Sequence, residues 1–92
     1  MDKKTNNWDK LVNQYLYDLT SGKAVRARRE AMDLSYKDVE EVVGISKSSM
    51  LNYENDTIPI EKDVAEKLST ILGISVSTIL YPLGEETTNK GL

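Results

Sequence analysis

The chain has 92 residues, 39% of them hydrophobic, with one Trp, five Tyr and no Phe, which fits one small domain with a mostly aliphatic core and leaves no room for a second. Twelve basic against fifteen acidic residues give a formal net charge of −3, so the chain is no general coat for nucleic acid, and any such site must be local. The absence of Cys excludes disulfides, thiolate metal sites and cysteine nucleophiles, and the absence of His removes the commonest general base and the usual zinc ligand.

Helical spacing dominates from the start. Trp8, Leu11, Val12, Tyr15, Leu16 and Leu19 recur at steps of three and four, which predicts an amphipathic helix within residues 1–21. Thr20-Ser21-Gly22 is expected to end it, with Gly22 as the residue just past its C-terminus. A second helix is predicted from Lys23 to Met32, followed by a turn at Asp33-Leu34. Ser35 reads as an N-cap, and Asp38 three residues later completes a capping box. The helix it opens carries Val39, Val42 and Val43 as apolar points and stops at Gly44. Ser46 caps the next helix, Lys47 to Glu54, in which Met50 and Tyr53 point inward. Asn55-Asp56-Thr57 breaks it, and Pro59 marks a loop. Ile60, Val64, Leu68, Ile71 and Leu72 form another apolar stripe ended by Gly73, and Ser75 caps a short last helix with Val76, Ile79 and Leu80 that Pro82 stops. Residues 84–92 are expected to be a flexible tail, so the main domain is residues 22–83. The fold class is all-α.

Several activities find no support in this pattern. No apolar run approaches the ~20 residues of a membrane span, and Met1–Asn7 is polar, unlike a signal peptide. Neither GxxxxGK[ST] nor GxGxxG occurs, and no cluster combines a base, a nucleophile and an orienting group. A cytoplasmic protein without cofactor, metal or catalytic residues is therefore expected.

The informative stretch is helix, Gly44, Ile45, Ser46, helix, since a glycine between two short helices lets the second cross the first. VRARRE (Val25–Glu30), Leu34-Ser35, VGISKSSMLNYEN (Val43–Asn55) and KLSTILGISVSTIL (Lys67–Leu80) follow in an order that resembles the helix-turn-helix domain of lambda-type phage repressors, Cro proteins and Xre-like regulators. The resemblance covers residues 22–83 and implies a lambda-repressor-like five-helix DNA-binding domain, here with an additional N-terminal helix. It implies that Arg29 pairs with Glu54 near the end of the recognition helix. An Arg–carboxylate clasp can pin a short helix that buries few apolar groups. It also implies that Lys47, Ser48 and Asn52 reach base edges in the major groove. Lys donates to guanine, Asn is bidentate to adenine and Ser takes either role, while Leu51 is placed to meet a thymine methyl. Phosphate contacts are expected from helix N-termini and nearby donors at Ser35, Tyr36, Lys37, Ser49, Asn55 and Thr57. Arg26, Arg28 and Lys23 are weaker phosphate candidates.

Three positions depart from the family pattern. Tyr36 stands for the usual Gln, Glu40 for Ala at the closest approach of the two motif helices, and Asp56 for Gly after Glu54-Asn55. A buried unpaired Glu40 would be costly, so it must tilt out or find a partner. The reading is a sequence-specific transcriptional repressor that binds an operator of duplex DNA as a homodimer. The segment Trp8–Leu19 would be a lid or a dimer seam, and Ile79–Leu83 a further candidate dimer contact. The alternative is a protein-interaction module or antitoxin of the same fold, which the acidic balance, Glu40 and Asp56 favour.

Overall fold

Hydroxyl side chains open most of the helices. The computed structural model describes residues 19–84, in which five α-helices and no strand are found. These are α1 (Ser21–Ala31), α2 (Tyr36–Val43), α3 (Lys47–Glu54), α4 (Lys62–Leu72) and α5 (Val76–Leu80). Thr20, Ser35, Ser46 and Ser75 each accept a hydrogen bond from a backbone N–H of the first turn, which satisfies one of the donors a helix start leaves open. The predicted capping box is present: Ser35 Oγ accepts from Asp38 N–H at 3.0 Å and Asp38 Oδ2 accepts from Ser35 N–H at 2.9 Å. Only α4, which begins after Glu61, lacks a side-chain cap among these helices.

The helices stop in two ways. Gly44 ends α2 at φ 76, a left-handed conformation that costs glycine nothing and turns the chain sharply toward Ser46. By contrast, α1 and α3 end on aspartates in that same region, Asp33 at φ 58 and Asp56 at φ 61. In each, the amide beyond reaches back over the last turn, Leu34 N–H to Arg29 O at 3.0 Å and Thr57 N–H to Asn52 O at 2.9 Å. Each aspartate's own N–H also bonds backward, Asp33 to Glu30 O and Asp56 to Tyr53 O. This is the Schellman arrangement, with Asp doing what Gly usually does.

The core draws one or more residues from each helix: Val25 from α1, Val39 from α2, Met50 from α3, Ala65, Leu68 and Leu72 from α4, and Ile79 from α5, with Ile45 from the turn. Burying each of the larger side chains stabilises the fold by about 1.5–3 kcal/mol. Helix α1 packs on α3, α4 and α5, while α2 packs on α3 and α4. As a result, α3 is held between its neighbours by one face and leaves the other outside. Ile79 is fully buried, so of the predicted contact stretch Ile79–Leu83 only the outer part, Tyr81 and Leu83, is exposed.

Two expectations are corrected here. Gly22 does not terminate a helix; it lies inside α1, which starts earlier than predicted, with Thr20 as its cap. Val42, predicted as an apolar contact, is 62% exposed, because Val39 already fills the inward position of α2. Apart from its last residue, the half-buried Leu19, the predicted helix Trp8–Leu19 lies outside the described residues, as do residues 85–92. Among the described residues no helix is long and apolar enough to cross a membrane.

Candidate nucleic-acid interface

Helix α3 divides cleanly by face. Met50 and Glu54, one turn apart, are buried, and Tyr53 is half-buried beside them. Lys47, Ser48 and Leu51 are exposed and Asn52 is half-buried on the remaining side. The sequence expectation that Met50 and Tyr53 point inward therefore agrees with the packing. At the helix start, Ser46 Oγ accepts from Ser49 N–H at 3.2 Å and donates to Ser49 Oγ at 3.1 Å, with Ser48 Oγ 3.5 Å away. These hydroxyls gather where the helix dipole is positive, a setting that favours an anion. The Asn52 carbonyl accepts from Thr57 and Ile58 N–H and so fixes the turn after α3, while its side-chain amide makes no hydrogen bond among the described residues.

What pins α3 is the clasp beneath it. Arg29 Nε donates to Glu54 Oε2 at 2.7 Å and Arg29 Nη2 to Oε1 at 3.3 Å, a bidentate pair whose partners are 7% and 3% exposed. Arg29 Nη1 donates to Leu34 O at 2.8 Å and ties in the turn between α1 and α2. The hydrogen bond to Glu54 is the largest influence on the guanidinium and raises its already high pKa, so the charge stays on. Tyr36 completes the cluster. Its hydroxyl donates to Glu54 Oε1 at 2.8 Å and accepts from Arg29 Nη2 at 3.0 Å, and the guanidinium lies 4.1 Å from its ring centroid. Burial first, and the bond to Glu54 second, push the Tyr36 phenol up.

The single proton of that hydroxyl is thus given to Glu54. Tyr36 thereby takes part in the clasp, which absorbs the departure from Gln. Lys47 Nζ of α3 also lies over the Tyr36 ring, 5.7 Å from its centroid, so the first residues of α2 and α3 are near one another.

The remaining predicted residues fall into two groups. Ser35 and the exposed Lys37 stand at the start of α2, and the exposed Asn55 and Thr57 follow the end of α3, with the half-buried Ser49 between them in sequence. Glu40 is exposed, which resolves the cost of burying it. Two of the weaker phosphate candidates have other partners: Arg28 Nε donates to Leu72 O at 2.9 Å at the end of α4, and Arg26 pairs with Glu30 one turn on at 3.2 Å. Asp56 and Gly22 carry a contact that the sequence did not reveal. Asp56 Oδ1 accepts from Gly22 N–H at 3.1 Å and Oδ2 from Thr20 Oγ1 at 2.5 Å, so the second residue past α3 caps the start of α1. No short-range pattern signals a bond between residues 34 positions apart.

This fold and this arrangement are those of a helix-turn-helix protein. Residues 25–79 match the profile of the helix-turn-helix family, and the chain belongs to that family, in its Xre and Cro/CI-like form. Over 53 residues it is 34% identical to a protein of Sulfurisphaera tokodaii provisionally named an HTH-type transcriptional regulatory protein. That match takes in 58% of this chain and 18% of the relative, so the chain spans less than a fifth of the relative's length. No solved structure matches the chain.

Proposed function

We propose that this chain is a DNA-binding transcriptional regulator that lays α3 in the major groove of duplex DNA and acts in the cytoplasm as a homodimeric repressor. The observation that carries the reading is the division of α3. Its inner face is fixed by Met50 and the Arg29–Glu54 clasp, while Lys47, Ser48 and Leu51 are exposed beside Asn52. A helix pre-set in this way spends little entropy on ordering side chains when it meets base edges. Lys47, Ser48 and Asn52 supply the hydrogen-bonding chemistry for those edges and Leu51 an apolar contact. Ser35, Lys37, Ser49, Asn55 and Thr57 flank the helix as backbone contacts, which set register without reading sequence. Two copies on half-sites about one helical turn (~34 Å) apart would add the affinity that one small acidic domain lacks.

The test is selection of bound fragments from random duplex DNA, followed by binding of variants to the selected sequence. Lys47→Ala and Asn52→Ala are each expected to cost about 1–3 kcal/mol and to relax preference at one base position. Unchanged binding by both variants to selected and random duplex would refute the readout. The second reading, a protein-binding module of the same fold, draws on the exposed Glu40, Glu41 and Val42 of α2. Salt separates the two, because binding through phosphates weakens steeply as salt rises.

A further inference from the structure

We infer that Asp56 is a positioning residue for the recognition helix, a latch that fastens the end of α3 to the start of α1. The inference rests on the DNA-reading role proposed for α3 and names a residue that tunes it. Three independent features meet at this one side chain. The first is its backbone: Asp56 holds φ at 61, a conformation that most side chains avoid, directly after the last turn of α3. The second is its carboxylate, which takes the Gly22 N–H at 3.1 Å and the Thr20 hydroxyl at 2.5 Å, while Thr20 Oγ1 in turn accepts from Lys23 N–H at 3.1 Å. Helix α1 has no acidic residue in its own first turn, so Asp56 supplies the negative charge that a helix start favours. The third is Gly22. A Cβ there would stand 2.6 Å from Asp56 Oδ1 and 2.8 Å from Glu54 O and would also strike Tyr53 O, so only glycine lets α1 approach the end of α3 this closely.

The latch lies at the far end of α3 from Lys47 and Ser48 and works with the Arg29–Glu54 clasp. The clasp holds the helix down through a buried side chain, and the latch fixes its last turn through the backbone that follows. Buried Met50 and the clasp hold the body of α3, and the latch adds a fixed point just past its C-terminal end that sets the direction of its last turn. With the latch open, α3 still folds and still presents its polar face, but base contacts at 2.7–3.2 Å tolerate little misalignment. Binding to random duplex depends on charge and survives; discrimination among sequences does not. If Asp56 acted only as a negative charge near the phosphates, its removal would instead strengthen both kinds of binding together.

The experiment compares the full chain with Asp56→Gly, Asp56→Asn and Gly22→Ala, all at a temperature where thermal scans show each one folded. Affinity is measured for the duplex selected by the parent and for random duplex, across a salt series. Asp56→Gly accepts the left-handed conformation without strain and lacks only the carboxylate; its ratio of selected to random affinity is expected to fall about tenfold, the worth of one good base contact. Its salt slope should match the parent's. Asp56→Asn keeps an acceptor for Gly22 N–H and is expected to retain most of the ratio. Gly22→Ala keeps the charge of Asp56 but displaces α3, and is expected to lower the ratio as Asp56→Gly does; should it fail to fold, the Asp56 pair still decides. A ratio for Asp56→Gly within twofold of the parent's, or an equal rise in both affinities, overturns the positioning role. A parent that selects no duplex at all overturns the DNA-reading role and this one with it. In that case slow amide exchange at Gly22, lost in Asp56→Gly, would still report the latch as a structural contact.

Discussion

Removing one member of the Arg29–Glu54 pair should be worse than removing both. Arg29 and Glu54 are 7% and 3% exposed, and the guanidinium makes its bonds to both Glu54 oxygens, Leu34 O and the Tyr36 hydroxyl. Glu54→Leu leaves a buried cation facing a hydrocarbon, and Arg29→Met leaves a buried carboxylate supported by Tyr36 alone; each is expected to cost about 3–5 kcal/mol. In the double variant no charge is buried, and the loss falls on Leu34 O and the Tyr36 hydroxyl, about 1–3 kcal/mol. The coupling between the two positions should therefore exceed about 3 kcal/mol, a large share of the 5–15 kcal/mol that holds a domain of this size. With about 4–8 °C lost per kcal/mol, either single variant melts at least ~12 °C below the parent. Urea unfolding of the parent, both single variants and the double variant, followed by circular dichroism, supplies the four corners of the cycle. A double variant that loses the sum of the two singles would refute the reasoning. So would a single variant costing under about 1 kcal/mol, the value of an exposed pair.

Other consequences can be checked on the same material. Asp33 is exposed in the left-handed conformation at φ 58, so Asp33→Gly should raise stability by about 0.5–1 kcal/mol. Asp56→Gly, at nearly the same φ, should lower it because the cap on α1 is lost; equal effects in thermal scans would contradict the latch. Ser35→Ala should cost about 1 kcal/mol through the lost cap of α2. Ser35, through its N–H and then its hydroxyl, holds the Asp38 carboxyl below the usual range. That contribution is present above the ordinary aspartate pKa and is lost as pH falls through the lowered one. Stability curves of the parent and Asp38→Asn should therefore converge in acid, and parallel curves would show that the sign is wrong. Tyr36, raised by burial and its bond to Glu54, contributes fully below the ordinary tyrosine range and loses that contribution as pH climbs through its raised value. Ultraviolet titration should find that Tyr36→Phe removes a late-ionising phenol, not an early one.

Much of the fold was legible because it is written in local pattern. Serines before apolar runs marked three helix starts, and steps of three and four placed Leu68, Leu72 and Met50 inside. The Arg29–Glu54 clasp was legible through the resemblance and through the need to hold down a helix with few apolar residues. Val42 was misread because three valines cover a wider arc than an eight-residue helix here buries. The bonds of the Tyr36 hydroxyl to Arg29 and Glu54 were not legible, because a position at the start of a helix says nothing of where its hydroxyl lands. Gly22 and Asp56 were unreadable for a deeper reason: each makes sense only once two helices from distant parts of the chain touch. Sequence patterns report on neighbours along the chain, and this contact has none.

Thr20 is also the last residue before α1, the point at which residues 1–19 are attached. Its hydroxyl is bonded to the side chain of Asp56, just past the end of α3. Leu19 is joined directly to Thr20, so strain applied at that point, from a bound protein, a fused domain or a surface tether, bears on this joint. Proteolytic trimming or a bulky label placed just upstream would act on the same joint.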